Sequence, residues 1–255
     1  MESQKKTKVI DQITNSQLWK SIFRHGYQDT DKNRVLTILS NYFLHLHPPK
    51  VRSGSEKFYY TWCMGGISFL LFVILTVSGV YLMFYYRPTL ELAYRDMKDL
   101  EFAVTMGKFW RNMHRWGAHG MVITVILHML RVFQRGAYKP FREFNWVVGV
   151  VLLMLTLLLS FSGYLLPWDQ LAYWAVTVGT NMGKATPFFG ADGPFSLVSE
   201  SSDVRYLLLG STSVGENALL RFYVLHCIAL PLVAAVLMCL HFWRVRKDGG
   251  ISGPM

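Results

Sequence analysis

Four of the eight histidines in this chain, His114, His128, His226 and His241, fall inside long apolar stretches. An imidazole is costly in such surroundings, so a histidine there normally faces an interior site. The intervals carry the information. His114 and His128 are 14 residues apart, and His226 and His241 are 15 apart. At 3.6 residues per turn both intervals lie near four turns, about 21 Å along a helix axis. Two helices built this way, side by side, place two pairs of opposed imidazoles at two heights. Axial imidazoles on both sides satisfy a six-coordinate haem iron, leave no open position for oxygen and favour electron transfer. A zinc centre would require third and fourth ligands, and no Cys/His/acid cluster supplies them. One such histidine alone could simply bridge two helices by a hydrogen bond; four in register argue for ligation. His119 lies about 140° around the helix from His114 and misses the register. His45 and His47 flank a different segment and are expected to face solvent.

The elements that must position these residues are visible in the apolar runs. Crossing a bilayer takes roughly 20 mostly apolar residues. Segments at about 59–85, 113–133, 146–166 and 219–243 meet that length. The charged fraction is 16%, against about a quarter in soluble domains, so the composition agrees. The expected fold is all-α: a four-transmembrane-helix bundle holding two haems, with an N-terminal surface helix. Residues 1–57 form a basic region, 58–245 the di-haem transmembrane domain and 246–255 a tail. Apolar positions from Val35 to Phe43 recur at helical spacing, which predicts an amphipathic helix over 33–45 lying on lipid. Pro48-Pro49 ends it. The connection from 168 to 218 predicts one or two short helices on the outer surface.

Charge assigns the sides. Seventeen of the 26 Lys and Arg residues precede the first span, surround the second connection or follow the last span. The positive-inside rule then puts both termini and the 134–145 loop in the cytoplasm. His114 and His226 fall at the outer level, and His128 and His241 at the inner one. The excess of +10 is thereby read as topology and attraction to anionic lipid, not nucleic-acid binding. No signal-peptide core is present in the first 57 residues, so span one is expected to act as an uncleaved insertion signal. Three cysteines, at or within apolar spans, do not suggest a disulfide framework.

Glycines repeat the histidine period. Gly65 and Gly79 in span one, and Gly149 and Gly163 in span three, are each 14 apart. Glycine lets backbone approach a flat group closely, so these four are expected to form notches for two haems between the spans. Haem propionates need cations. Arg111, Arg115 and Arg221 stand at the outer level beside His114 and His226, and Arg131 stands at the inner one beside His128.

The motifs Arg111-Asn-Met-His114-Arg-Trp, His128-Met-Leu-Arg131-Val and Gly163-Tyr-Leu-Leu-Pro-Trp-Asp-Gln170 resemble the cytochrome b family. The Tyr85-Tyr-Arg-Pro-Thr89 run, the 15-residue histidine interval and the Ile251-Ser-Gly-Pro ending look like the split cytochrome b6 type. The likeness runs from about Val35 to the C-terminus. It implies a subunit of a quinol–cytochrome c or quinol–plastocyanin reductase, carrying two haem b groups between an outer quinol-oxidation and an inner quinone-reduction site. Implied partners are a Rieske iron–sulfur protein, a c-type cytochrome and a separate three-helix subunit, in a dimeric complex. Gly163, Pro167, Trp168 and Asp169 would neighbour the outer quinol site, shared with that separate subunit. Trp62-Cys63-Met-Gly-Gly resembles the place where b6-type chains attach a c-type haem through one thioether, although no Cys-x-x-Cys-His motif is present. Cys227 and Cys239 read as packing residues. The long basic N-terminus and extra residues over 179–209 depart from the family pattern. They favour a bacterial cell membrane and a respiratory chain over a thylakoid. The rival reading is a di-haem b anchor of a hydrogenase or formate dehydrogenase.

Overall fold

The computed structural model describes Gln12, Asn15 and residues 30–40, 57–139, 142–248 and 251. Helix α1 runs over Asp31–Ser40 and coincides with part of the expected surface helix. The remainder of that helix, His45, His47, the Pro48-Pro49 break and the last four residues lie outside the described residues.

The first span is shorter than its apolar run. Helix α2 covers only Phe58–Thr61, and α3 begins at Met64 and ends at Met83. Between them Trp62 and Cys63 take left-handed backbone angles, φ 56° and 51°. Two successive residues there cannot continue a right-handed helix. Arg131 holds the turn in place: its guanidinium donates to the carbonyls of Tyr59 and Tyr60 at 2.8–3.1 Å and lies 4.4 Å from the Trp62 ring centroid.

The connection after α3 contains helix α4, Ala93–Phe102. It is fastened by Asp96, only 2% exposed, which accepts from the Arg87 backbone N–H at 2.8 Å and from its guanidinium at 2.6 and 3.1 Å. Burial alone would raise the Asp96 carboxyl, but these hydrogen bonds and the Arg87 charge hold it below the usual carboxylate range. Beside it the buried Tyr86 hydroxyl donates to the Leu166 carbonyl at 2.6 Å, joining the end of span one to the end of span three. Burial pushes that phenol far above its ordinary range.

Span two is α5, Gly107–Gln134, and span three is α6, Glu143–Leu165. The 168–218 connection holds two helices, α7 over Gln170–Lys184 and α8 over Val204–Leu209. Asp169 and Asp203 cap them by accepting from Ala172 N and Tyr206 N. Span four is composite: α9 over Glu216–Val224, a π-helical turn over Leu225–Ala229 and α10 over Leu230–Asp248. The Leu230 N–H reaches back five residues to the Leu225 carbonyl. Pro231 explains the wide turn, since it has no N–H to donate and its ring crowds the carbonyl four residues back.

The spans make two close pairs. Helix α3 packs along α5, and α6 packs along α10. Of the 18-residue apolar window in α3 only 6% is buried inside the molecule, and in α6 only 22%. Apolar surface on that scale would be untenable in water and is what hydrocarbon requires. Hydroxyls within the spans are satisfied locally, as with Thr76 on Phe72 O and Thr156 on Leu152 O.

Candidate functional site

A cavity of about 1270 Å³ runs between the two helix pairs. A single small-molecule pocket is about 300–1,000 Å³, so this space exceeds one ordinary ligand site. All four span histidines line it. His114 of α5 faces His226 of the π turn with ring centroids 6.2 Å apart, and His128 of α5 faces His241 of α10 at 6.4 Å. The ring planes are nearly perpendicular, at 75° and 81°.

The π turn explains how unequal intervals give equal sites. Fourteen residues fall about 40° short of four turns, while fifteen overshoot by about 60°. A π turn takes up one extra residue inside a helix. With it, the 15-residue interval of span four turns through the same angle as the 14-residue interval of span two. Pro231 is the sequence signal for this feature, which the intervals alone do not reveal.

Each of the four periodic glycines abuts one of these histidines. A Cβ on Gly79 would lie 3.2 Å from His114 Cε1, and one on Gly163 only 2.5 Å from His226 Cε1. At the other level, a Cβ on Gly65 would lie 3.3 Å from His128 Cε1, and one on Gly149 3.8 Å from His241 Cε1. The glycines thus clear space for the imidazoles themselves, one glycine helix backing each histidine helix.

Two residues beside the glycines were not anticipated. Ser78 Oγ lies 2.9 Å from His114 Nδ1, and Ser162 Oγ lies 3.2 Å from His226 Nδ1. Each immediately precedes its glycine, so the Ser-Gly dipeptides at 78–79 and 162–163 are the signal that could have found them. The corresponding positions at the other level are Met64 and Val148. Among the described residues His241 meets no serine hydroxyl there; its buried ring stands beside the Asn145 backbone instead.

The arginines divide. Arg111 and Arg115 line the cavity, and Arg111 also pairs with Glu101 at 3.0 Å. Arg131 is engaged with the Tyr59–Trp62 turn. Arg221 donates to the Leu207 carbonyl. Pro167 and Asp169 line the cavity, Asp169 also serving as the cap of α7. Trp168 packs against two buried clusters, one containing Leu165 and Val176 and the other Tyr86 and Leu219, with a left-handed φ of 50°. Cys63 is exposed and lines the cavity two residues before Gly65, at the His128 level. Cys227 is partly buried and Cys239 exposed.

The histidine pairs fit two axially ligated iron macrocycles. Two metal–imidazole bonds of about 2 Å each bring opposed ring centroids to about 6 Å, as observed at both levels. Four spans enclosing a cavity lined by paired histidines define a multi-pass membrane protein built around buried prosthetic groups. The comparisons specify the family. Residues 50–249 match the model of the cytochrome b/b6/petB family, and the chain belongs to it. It is 44% identical over 194 residues to cytochrome b6 of Gracilaria tenuistipitata var. liui, covering 76% of this chain and 85% of the relative. A chain of the solved structure titled "Hyperthermophilic respiratory Complex III" superimposes with a TM-score of 0.67 at 27% identity. The match takes in 89% of this chain and 55% of that one, so this chain spans about half its length. These likenesses mark the protein as part of an oxidoreductase complex.

Proposed function

We propose that this chain is the haem-carrying subunit of a cytochrome b6-type quinol reductase, moving electrons across the membrane and so contributing to the protonmotive force. The observation that carries it is the pair of opposed imidazole couples, 6.2 and 6.4 Å between ring centroids, lining one cavity. Bound haem supplies one-electron carriage at each level. His114 and His226 hold the outer group and His128 and His241 the inner one, with both termini cytoplasmic in a bacterial cell membrane. Gly65, Gly79, Gly149 and Gly163 admit the rings. Arg111 and Arg115 face the cavity and are the cations best placed for outer propionates. Arg131 and Arg221 serve backbone carbonyls instead.

The Pro167-Trp168-Asp169 corner borders the outer quinol site, with Asp169 fixing the start of α7 and Tyr86 fixing Leu166. A separate three-helix subunit, a Rieske protein and a c-type cytochrome complete the assembly in this reading, which rests on the family likeness. Cys63 carries a covalent c-type haem at the inner level. Its thiol is exposed to the cavity on a turn that Arg131 holds rigid.

Purification from the native membrane tests the whole. Two b-type contributions in a reduced-minus-oxidised spectrum, and co-isolation with a Rieske protein, are expected. A nickel or molybdenum partner would establish the membrane-anchor reading instead, and a protein without a b-type α band would overturn both. For Cys63, a denaturing gel stained for haem peroxidase activity should show a band near the 29.4 kDa of the chain. The band should vanish in Cys63→Ala; an unstained wild type refutes the attachment.

A further inference from the structure

The outer ends of three spans meet at one buried hydroxyl. Tyr86, just past the end of α3, is 7% exposed, and its hydroxyl donates to the Leu166 carbonyl at 2.6 Å. That carbonyl belongs to the last turn of α6, where the helix supplies no donor of its own, and Pro167 beside it has no N–H to offer. Trp168 follows with its left-handed φ of 50°, which a bulky residue keeps only where its surroundings hold it. Here it packs on a buried cluster of Tyr86, Ala93 of α4 and Leu219 of α9. The Tyr86 ring also stacks on Tyr223 of α9, with 5.6 Å between centroids. Tyr86, Leu166, Pro167 and Tyr223 all line the cavity. Tyr86 is itself held from the outer connection. The next residue, Arg87, gives its backbone N–H to the Asp96 carboxylate at 2.8 Å and its guanidinium to both carboxylate oxygens. Asp96 stands on α4 and is 2% exposed. A buried carboxylate accepting three charge-assisted bonds has little freedom to move, so it pins the peptide that carries Tyr86.

We infer that Tyr86 and Asp96 are positioning residues for the outer quinol site: Tyr86 fixes the Leu166–Pro167 corner, and Asp96, acting through Arg87, fixes Tyr86. This rests on the quinol-reductase reading above. Both residues act through other groups and not by contact with the substrate. A pocket wall already in place needs no ordering when quinol enters, whereas ordering a loose one weakens binding. Removing the Tyr86 hydroxyl leaves the Leu166 carbonyl buried without a donor and frees the strained turn at Trp168 to shift. Among the described residues neither Tyr86 nor Asp96 bonds to a span histidine. The effect therefore falls on quinol binding and leaves the histidine levels as they are.

Steady-state quinol oxidation by the purified holo-complex tests this, using short-chain benzoquinol and naphthoquinol and taking whichever the wild type oxidises. Tyr86→Phe keeps the ring and removes the hydroxyl. KM should rise about fivefold while kcat changes by less than about twofold. Haem content and both b-type waves of a potentiometric titration should match the wild type. Asp96→Asn should raise KM in the same way. The double variant should be no worse than the more affected single, because both break one chain of contacts. Asp99→Asn removes the same charge from an exposed place on α4, where Asp99 pairs with Arg95 at 3.9 Å, and should be silent. Should Asp96→Asn not assemble, Arg87→Lys keeps the charge and the backbone bond but loses the fork, and should give a smaller rise in KM. A Tyr86→Phe complex that loses haem, or that keeps it with a wild-type KM, would overturn the inference. So would an equal rise in Asp99→Asn, additive effects in the double variant, or no rise in Arg87→Lys. Failure of the quinol reading would show earlier, as a wild-type complex that oxidises neither quinol.

Discussion

The His114 and His128 levels are built from the same helices, the same residue types and the same 14-residue glycine period, yet they are not copies. At the His114 level each ring is pressed by a glycine helix and bonded to a serine, with arginines of α5 lining the same end of the cavity. One of its two histidines, His226, sits in a π turn. At the His128 level the glycine contact on His241 is looser and the serines are missing. Cys63, Tyr138, Arg142 and Asn145 line the cavity instead. A helical repeat therefore fixes where two sites fall while leaving the neighbours of each ring, one position away from the repeat, free to differ.

The comparison breaks most completely when a ligand or its register is removed. His128→Ala should abolish one b-type wave and spare the other; loss of both would mean that the levels are not independent. Register gives a sharper version. Deleting Ile123 from α5 turns His128 by about 100° relative to His114 and should eliminate one site. Deleting Ile228 removes the residue that the π turn absorbs, leaving 14 residues between the span-four ligands. That variant should retain both haems, measured as haem per protein. Loss of haem there would show that the π turn has another purpose.

Glycine substitutions come next and should rank by contact distance. Gly163→Ala, with its Cβ 2.5 Å from His226, must displace the ring and is expected to lose most of the His114-level haem. Gly79→Ala and Gly65→Ala, at 3.2 and 3.3 Å, should give partial losses. Gly149→Ala, at an ordinary 3.8 Å, should be nearly silent. Equal effects at 149 and 163 would erase the difference in tightness between the levels. The smallest effect is assigned to Arg131→Ala. It frees the turn that presents Cys63, and covalent haem stain per protein should fall about threefold, as fits a contact worth ~0.5–1 kcal/mol.

Much of this molecule was legible in the chain. Hydrocarbon tolerates few polar groups, so four apolar runs and the histidines within them were bound to be conspicuous. The 14-residue intervals named the four glycines, and each of them meets a histidine. The arginines were less legible. Arg131 and Arg221 look like propionate partners by position, but backbone carbonyls of a neighbouring turn and of α8 take them. Which acceptor a long cationic side chain reaches depends on elements distant in sequence. The early end of the apolar run at Trp62-Cys63 was hidden for the same reason, since composition does not report a left-handed backbone.

The sequence by itself determined the all-helical membrane fold, the four inward histidines and the two heights, because helical pitch and the cost of polar groups in lipid act along one chain. Only the tertiary structure decided the rest. It converted a 15-residue interval into a matched one through a π turn, paired each glycine with its histidine across two helices, and gave serines to one level alone. Those outcomes depend on how neighbouring helices are rotated against one another. That rotation is set by packing between chain segments, which no single segment encodes.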